Sequence, residues 1–268
     1  AVNNNGHTII VDSAIYDNNT ANSIIYNGKT GVISLEGVDV YSNSSTNGGA
    51  IYNKGVINFV SGKIRDNSAS LGGAVYNEGD FTLSGGEIEN NTATSGGAIY
   101  NKGKIILSSG RIASNTASTS GAGVYNDKDA SLIMQGGEIT LNSKTETGTS
   151  ILGSGIANYG SLYIYGGTLS SNGCEETGNG GGLYAGSDSY NYIENAKIEN
   201  NSASAVSSGA NIYLSANAYA LIKNSVITSG RESSSNAVMD IFATNATLIL
   251  NSVTLNSSAN SGSLRADN

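Results

Sequence analysis

Glu87 and Glu138 are the residues of this 268-residue chain with the best claim to covalent chemistry. Glycosidic cleavage needs one carboxylic acid to protonate the leaving oxygen and a second carboxylate on the other side of the bond. The repeat described below stacks Lys63, Glu87, Arg111 and Glu138 in one outward column. Two rungs then separate the glutamates, roughly 9–10 Å, at the wide edge of inverting-glycosidase spacing. Arg111 between them should keep both carboxylates ionised, which leaves no general acid. Neighbouring Arg65 and Glu89 repeat the alternation, so the simpler expectation is a set of surface ion pairs. Such pairs are worth under about 1 kcal/mol each and help to pin register.

Other reactive groups are sparse. Cys174 is the single cysteine, and Glu175 and Glu176 beside it should raise its thiol pKa. The only histidine, His7, lies far from it in sequence. No dense Asp/Glu cluster with a nearby basic residue is evident, so neither a metal nor a cofactor is implied. Six Asn-x-Ser/Thr sequons begin at Asn18, Asn43, Asn90, Asn200, Asn245 and Asn256, a number that the abundance of Asn, Ser and Thr largely accounts for.

Charged residues are 13% of the chain, Pro and Trp are missing, and hydrophobic residues reach 38% in a regular pattern. That pattern argues for a buried core in a polar-rich chain. The net charge of −8, with 13 scattered basic residues, disfavours nucleic acid and anionic membrane as partners. No apolar run approaches the roughly 20 residues of a bilayer span, and the N-terminus lacks a signal-peptide pattern. An export signal or anchor is therefore expected outside residues 1–268, which read as a single domain excerpted from a longer exported protein.

The elements that position these residues come from a repeat. Gly48-Gly49-Ala50-Ile51-Tyr52-Asn53 recurs at Gly72–Asn77 and Gly96–Asn101, continues at Gly121–Asn126, and degrades through Ile156, Leu183, Ile212 and Ile241. A second marker, aliphatic-x-x-Asn, runs Ile15 to Asn18, Val40 to Asn43, Ile64 to Asn67, Ile88 to Asn91, Ile112 to Asn115, Ile139 to Asn142, Leu169 to Asn172, Ile198 to Asn201 and Val253 to Asn256. In the ninth coil Gly230 stands where Asn is expected. Asn and Gly tolerate positive φ, so this position reads as a tight corner, at which Asn67, Asn91 and Asn115 are expected to stack with their side chains hydrogen-bonding backbone groups of the turn or the neighbouring Asn.

Between markers the chain alternates with period two. One inward column is Phe59, Leu83, Leu107, Met134, Ile164, Ile193, Ile222, Leu248, and another is Ile51, Val75, Ile99, Val124, Ile156, Leu183, Ile212, Ile241. Short strands closed by tight corners about every 24 residues predict a right-handed parallel β-helix of about ten coils, roughly 48 Å long. A leucine-rich repeat would need a helix or open arc in each unit, and a left-handed hexapeptide helix a six-residue spacing; neither pattern is present.

The paired Gly-Gly-Ala-Ile/Val and aliphatic-x-x-Asn markers resemble those of polymorphic outer-membrane-protein repeats and related adhesin-like surface proteins over most of residues 15–202. Aliphatics replace that family's Phe of Phe-x-x-Asn throughout. The resemblance implies the fold and an extracellular or cell-surface setting, and no particular receptor.

Three surfaces are candidates for binding. Tyr26, Tyr52, Tyr76, Tyr100, Tyr125, then Ala157, Tyr184, Tyr213 and Phe242 form an outward column, read as a stiffening aromatic ladder or, alternatively, a carbohydrate track. Asn58, Thr82, Ile106, Ile133, Tyr163, Tyr192, Leu221 and Thr247 form another, in which five consecutive apolar residues make an exposed patch. Either a partner or other chain, such as the residues after Asn256, would cover it. Finally, the corners after Asn142 (Ser143–Leu152) and Asn172 (Gly173–Asn179) are longer than the five-residue corners of earlier coils. They stack as a ridge carrying Lys144, Glu146, Glu175 and Glu176, or reflect tolerated drift. Ranks of hydroxyls suited to ice are hinted only at Ser68, Thr92, Thr116 and Ser202, with breaks at Ser143 and Gly173.

The expected function is a noncatalytic stalk or passenger segment that displays binding loops to glycans or proteins of host or neighbouring cells. End-to-end or lateral pairing with another copy is a further mode. A polysaccharide lyase or glycoside hydrolase is the alternative, and a phage or fibre component follows it.

Overall fold

The structure, a computed structural model, describes residues 1–19, 21–144, 151–173, 178–203, 208–228, 230–232, 239–256 and 264–267. It is an all-β parallel solenoid of about nine turns, with no helix among the described residues. Every strand pairing is parallel and joins one coil to the next. A first sheet of eleven strands runs from Val2–Asn4 to Leu264–Asp267; a second, of ten, from His7–Val11 to Thr247–Asn251; a third, of ten, from Ala14–Tyr16 to Thr254–Asn256. A fourth, shorter sheet begins at Ser44–Asn47 and reaches Gly178–Asn179.

Alternation along each strand buries one residue in two. The column Ile51, Val75, Ile99, Val124, Ile156, Leu183, Ile212, Ile241 is in register and wholly buried. Phe59, Leu83, Leu107, Met134, Ile164, Ile193 and Ile222 form the second expected column, but it ends on Leu250 rather than Leu248. The reason lies in the last marker. Leu255, not Val253, aligns with Ile227, so the final coil sits two residues later than the Asn256 marker suggests. A two-residue shift preserves which side of the sheet each residue faces.

Two stacks of asparagine run through the interior. On the first sheet, Asn4, Asn27, Asn53, Asn77, Asn101, Asn126 and Asn158 each donate from Nδ2 to Oδ1 of the Asn one coil on, at 2.7–2.9 Å, the last step reaching Asn191. At the corner after the third sheet, Asn18, Asn43, Asn67, Asn91, Asn115, Asn142, Asn172, Asn201 and Asn211 form a second stack at 2.8–3.0 Å, which ends on Asp240. Each corner Asn of this stack is also fixed by backbone. Asn91 Nδ2, for example, donates to the Ile64 carbonyl at 3.0 Å, and the Asn91 N–H donates to Asn115 Oδ1 at 2.9 Å. Burying an amide is costly without such partners and nearly free with them.

The corner geometry differs from the expectation in one respect. Positive φ belongs to the residue before the ladder Asn: Ser42, Asp66, Asn90, Ser114, Leu141, Ser171 and Asn200 all lie between 54° and 57°. The Asn is required for its side-chain amide; Gly230 has none, and Asn211, on the first-sheet strand Gly209–Leu214, carries the stack from Asn201 to Asp240 instead. The Gly230 N–H donates to Asp240 Oδ1 at 2.8 Å. The Gly pairs have a separate cause. Gly48, Gly72 and Gly96 adopt φ of 64–65°, and a Cβ on Gly49 or Gly73 would collide with the glycine carbonyl one coil on.

Replacing Asn91 by Leu should cost about 1–3 kcal/mol, because the backbone N–H of Asn67 and the amides on either side lose buried partners. A melting or denaturant midpoint equal to that of the unaltered chain would contradict the ladder's role. Asp240 gives a second test. Its buried carboxylate has Oδ1 occupied by Asn211 and Gly230, while Oδ2 has no partner among the described residues. Burial raises its pKa, partly offset by those two hydrogen bonds. A raised folded pKa means that its contribution to stability is present below the ordinary carboxylate range and is lost as pH rises through the folded value. Asp240→Asn should therefore stabilise the chain at pH 7 by on the order of 1 kcal/mol. The advantage should shrink in melts at progressively lower pH, and one that grows on acidification would refute the assignment.

Candidate functional site

Strict register gives each outer face its own chemistry. On the third sheet, Lys63, Glu87, Arg111 and Glu138 align as expected, and Asp39, outside the expected column, precedes them in register. Lys63 Nζ lies 2.8 Å from carboxylate oxygens of both Glu87 and Glu89, and Arg111 Nε lies 3.2 Å from Glu138. Arg65 turns away from Glu89, its neighbour in register, to bind Asp39 and Asp66 at 2.8 Å, so the second column of pairs is diagonal. The hydrogen bond from Lys63 holds the Glu87 carboxyl below its usual pKa, with Arg111 a minor contributor. Each of the two glutamates is thus engaged by a basic side chain.

On the fourth sheet Ser44, Ser68, Thr92, Thr116 and Ser143 are in register. Ser143 continues the hydroxyl rank, and Gly173 breaks it before Ser202. The described residues contain no group of three or more His, Cys, Asp or Glu placed to hold a metal.

The first sheet carries an unbroken stack of nine rings: Tyr26, Tyr52, Tyr76, Tyr100, Tyr125, Tyr159, Tyr184, Tyr213 and Phe242, with centroids 4.6–5.9 Å apart. The expected gap at Ala157 is filled by Tyr159, two residues on, whose ring reaches between Tyr125 and Tyr184. Ring faces here are used by neighbouring rings, which favours a stiffening ladder over a sugar track.

The second sheet is different. Ile106, Ile133, Tyr163, Tyr192 and Leu221 stand side by side on consecutive coils, half-buried on the outer face. The column continues to Ile249 rather than Thr247, for the same two-residue shift of the last coil. Leu264–Asp267 adds a strand to the first sheet and does not cover this face.

Three tyrosines absent from the expected column join it. Tyr190 and Tyr219 stack at 5.3 Å, Tyr163 meets Tyr190 at 5.7 Å, and Tyr165 meets Tyr192 at 5.6 Å. Tyr165 is 47% exposed and Tyr190 38%. Tyr165 and Tyr190 lie two residues from Tyr163 and Tyr192, so period-two alternation could have found them had more than one column been followed. At the far end of these strands Tyr192 Oη donates to Glu194 at 2.7 Å, and Lys223 Nζ lies 5.3 Å from the Tyr192 ring. The hydrogen bond to Glu194 raises the Tyr192 pKa.

Of the corner ridge, Glu146, Glu175 and Glu176 lie outside the described residues, as does the Lys144 side chain. Ser143–Lys144 and Ile151–Leu152 both pair with Thr116–Ser120 in the fourth sheet.

Fold and faces together define a parallel β-solenoid repeat protein. Comparison with protein families, curated proteins and solved structures finds no match to this chain.

Alkaline titration checks the ladder. Burial pushes the Tyr159 hydroxyl up to about 12, with the neighbouring tyrosines adding to it and a bond to Ser120 opposing. Phenolate absorbance should therefore show a tyrosine ionising near pH 12 that Tyr159→Phe removes, and stability tied to this group should be lost as pH rises through that value. Ionisation of every tyrosine near the ordinary phenol range would contradict the stacked arrangement.

Proposed function

We propose that this chain is a rigid, noncatalytic segment of a surface-displayed, adhesin-like protein, and that it attaches to glycans or proteins of other cells. The second-sheet patch carries the proposal: apolar and aromatic side chains on consecutive coils, on a rod whose other faces are ion-paired, self-stacked or hydroxyl-rich. Contiguous exposed patches of this kind mark contact surfaces. A parallel stack with few degrees of freedom suits a stalk, and the resemblance of its markers to polymorphic outer-membrane-protein repeats supports a surface setting. The catalytic alternative has less support, since Glu87 and Glu138 are both engaged by basic side chains.

Beads coated with the chain should adhere to cultured bacterial or epithelial cells. The double substitution Tyr163→Ser and Tyr192→Ser should cut adhesion by about tenfold, a loss of roughly 1.4 kcal/mol, at an unchanged melting midpoint. Full adhesion by that variant would remove the patch from the proposal. Cleavage of pectin, alginate or glycosaminoglycans that Glu87→Gln abolishes would replace it with the enzymatic alternative.

A further inference from the structure

The five tyrosines of the second sheet form a grid with a polar margin. Three consecutive coils each contribute three outward positions: Ser161, Tyr163 and Tyr165; Tyr190, Tyr192 and Glu194; Tyr219, Leu221 and Lys223. Glu194 and Lys223 are in register, with Asn251 following on the next coil. Rings fill one corner of the grid and hydrogen-bonding groups the other.

We propose that this grid is a saccharide platform that takes a linear, uncharged oligosaccharide laid along the rod axis. The inference rests on the binding-rod reading above and names its ligand. A pyranose presents a face of C–H groups that packs on an aromatic ring, and a rim of hydroxyls that needs donors and acceptors beside that ring. Tyr163, Tyr165 and Tyr190 supply the first. The Glu194 carboxylate, the Lys223 ammonium and the phenol hydroxyls supply the second.

Exposure separates this face from the first-sheet ladder. No ring of that ladder is among the exposed large side chains, whereas Tyr165 and Tyr190 of the grid are 47% and 38% exposed. Tilts of 47° and 48° at Tyr163–Tyr190 and Tyr165–Tyr192 occur within the grid beside stacked pairs, as they do in the ladder. Coils repeat about every 4.8 Å, close to the advance per sugar in an extended chain, so successive sugars would meet successive rows. A stacked nucleic acid is disfavoured because its phosphates would meet a chain of net charge −8. A protein partner would bury the Glu194 and Lys223 charges at the margin of its apolar contact, which hydroxyls of a sugar can instead satisfy. One negative and one positive group at that margin favour a ligand without net charge.

The probes are cellohexaose, chitohexaose and mannohexaose, titrated into the full chain with binding followed by calorimetry and tyrosine fluorescence. Saturable binding of at least one is expected, weakened about tenfold by Tyr163→Ala with Tyr192→Ala. Glu194→Gln and Lys223→Met, which keep every ring in place, should each weaken it severalfold without moving the melting midpoint. Binding that survives the double tyrosine substitution, or that ignores both polar substitutions, would overturn the site. No saturable binding up to millimolar sugar, with cell adhesion still dependent on Tyr163 and Tyr192, would overturn the saccharide assignment and leave the rod reading intact. No sugar binding together with adhesion indifferent to both tyrosines would overturn both.

Discussion

Coil-to-coil amide hydrogen bonding is the constraint on which this molecule depends. An apolar interior alone would hold the coils together, but it would tolerate slippage, since one aliphatic fits beside another in several registers. A buried amide does not tolerate it. Moving Asn91 one residue out of line with Asn115 would leave Nδ2, Oδ1 and a backbone N–H without partners in a place water does not reach. Each Asn therefore fixes the alignment of two coils. Both stacks point the same way, with Nδ2 donating toward the C-terminal coil, so each amide presents an oxygen for the next. A chain of donors must end on an acceptor. One stack ends on the Ser189 hydroxyl and the Tyr219 carbonyl, the other on the Asp240 carboxylate.

The outer faces inherit that register. Because side chains alternate across a strand, aligning the interior aligns the exterior, and like residues come to lie one rung apart. Tyrosine shows the result most clearly. All 15 tyrosines belong to one of three stacks: Tyr16 with Tyr41, the first-sheet ladder, or the second-sheet grid. Charges behave likewise on the third sheet, where opposite signs meet at rung spacing or on a diagonal. None of these surface pairs needs to contribute much stability for the arrangement to persist, because the interior already dictates it.

Most of the fold was legible in the residues, for a physical reason. A parallel solenoid makes each coil repeat the same burial pattern, so inward columns such as Ile51 to Ile241 can be read by counting. Counting failed where a chance match set the offset. Val253-x-x-Asn256 fits the aliphatic-x-x-Asn pattern two residues out of register, so Leu250, Ile249 and Leu255 occupy places that fixed offsets assigned to Leu248, Thr247 and Val253. The corner Asn was legible in part: its stacked, hydrogen-bonded amides were expected, but the positive φ belongs to the residue before it. Tolerance of positive φ and possession of an amide are both properties of Asn, and the neighbours Ser42, Asp66 and Ser114 show which one the corner uses. Tyr159 escaped notice because a ring can enter a stack from a residue outside the strand, which no strand-based count includes. The outer-face patch was half legible: one column announced itself through consecutive Ile and Tyr, but its lateral partners Tyr190 and Tyr219 needed the neighbouring column.

The location of the tyrosine grid argues that the surface and the interior of this chain answer to different demands. The grid falls on coils where the repeat is already loosening. Coil length there exceeds that of the first coils, Ala185 ends the first-sheet asparagines, and the amide stack steps sideways from Asn158 to Asn191. Neutral drift of a solenoid would be expected to scatter outward substitutions, since no packing restrains them. Instead Leu162, Ile164, Ile193 and Ile222 keep the interior filled, while the outward positions between and beside them become tyrosine on three successive coils. Aromatic rings half-exposed on a rod's surface add aggregation risk and little stability to a core that is already continuous. Their concentration on one face, beside a carboxylate and an ammonium in register, is more economically explained by what the face contacts than by what the fold requires.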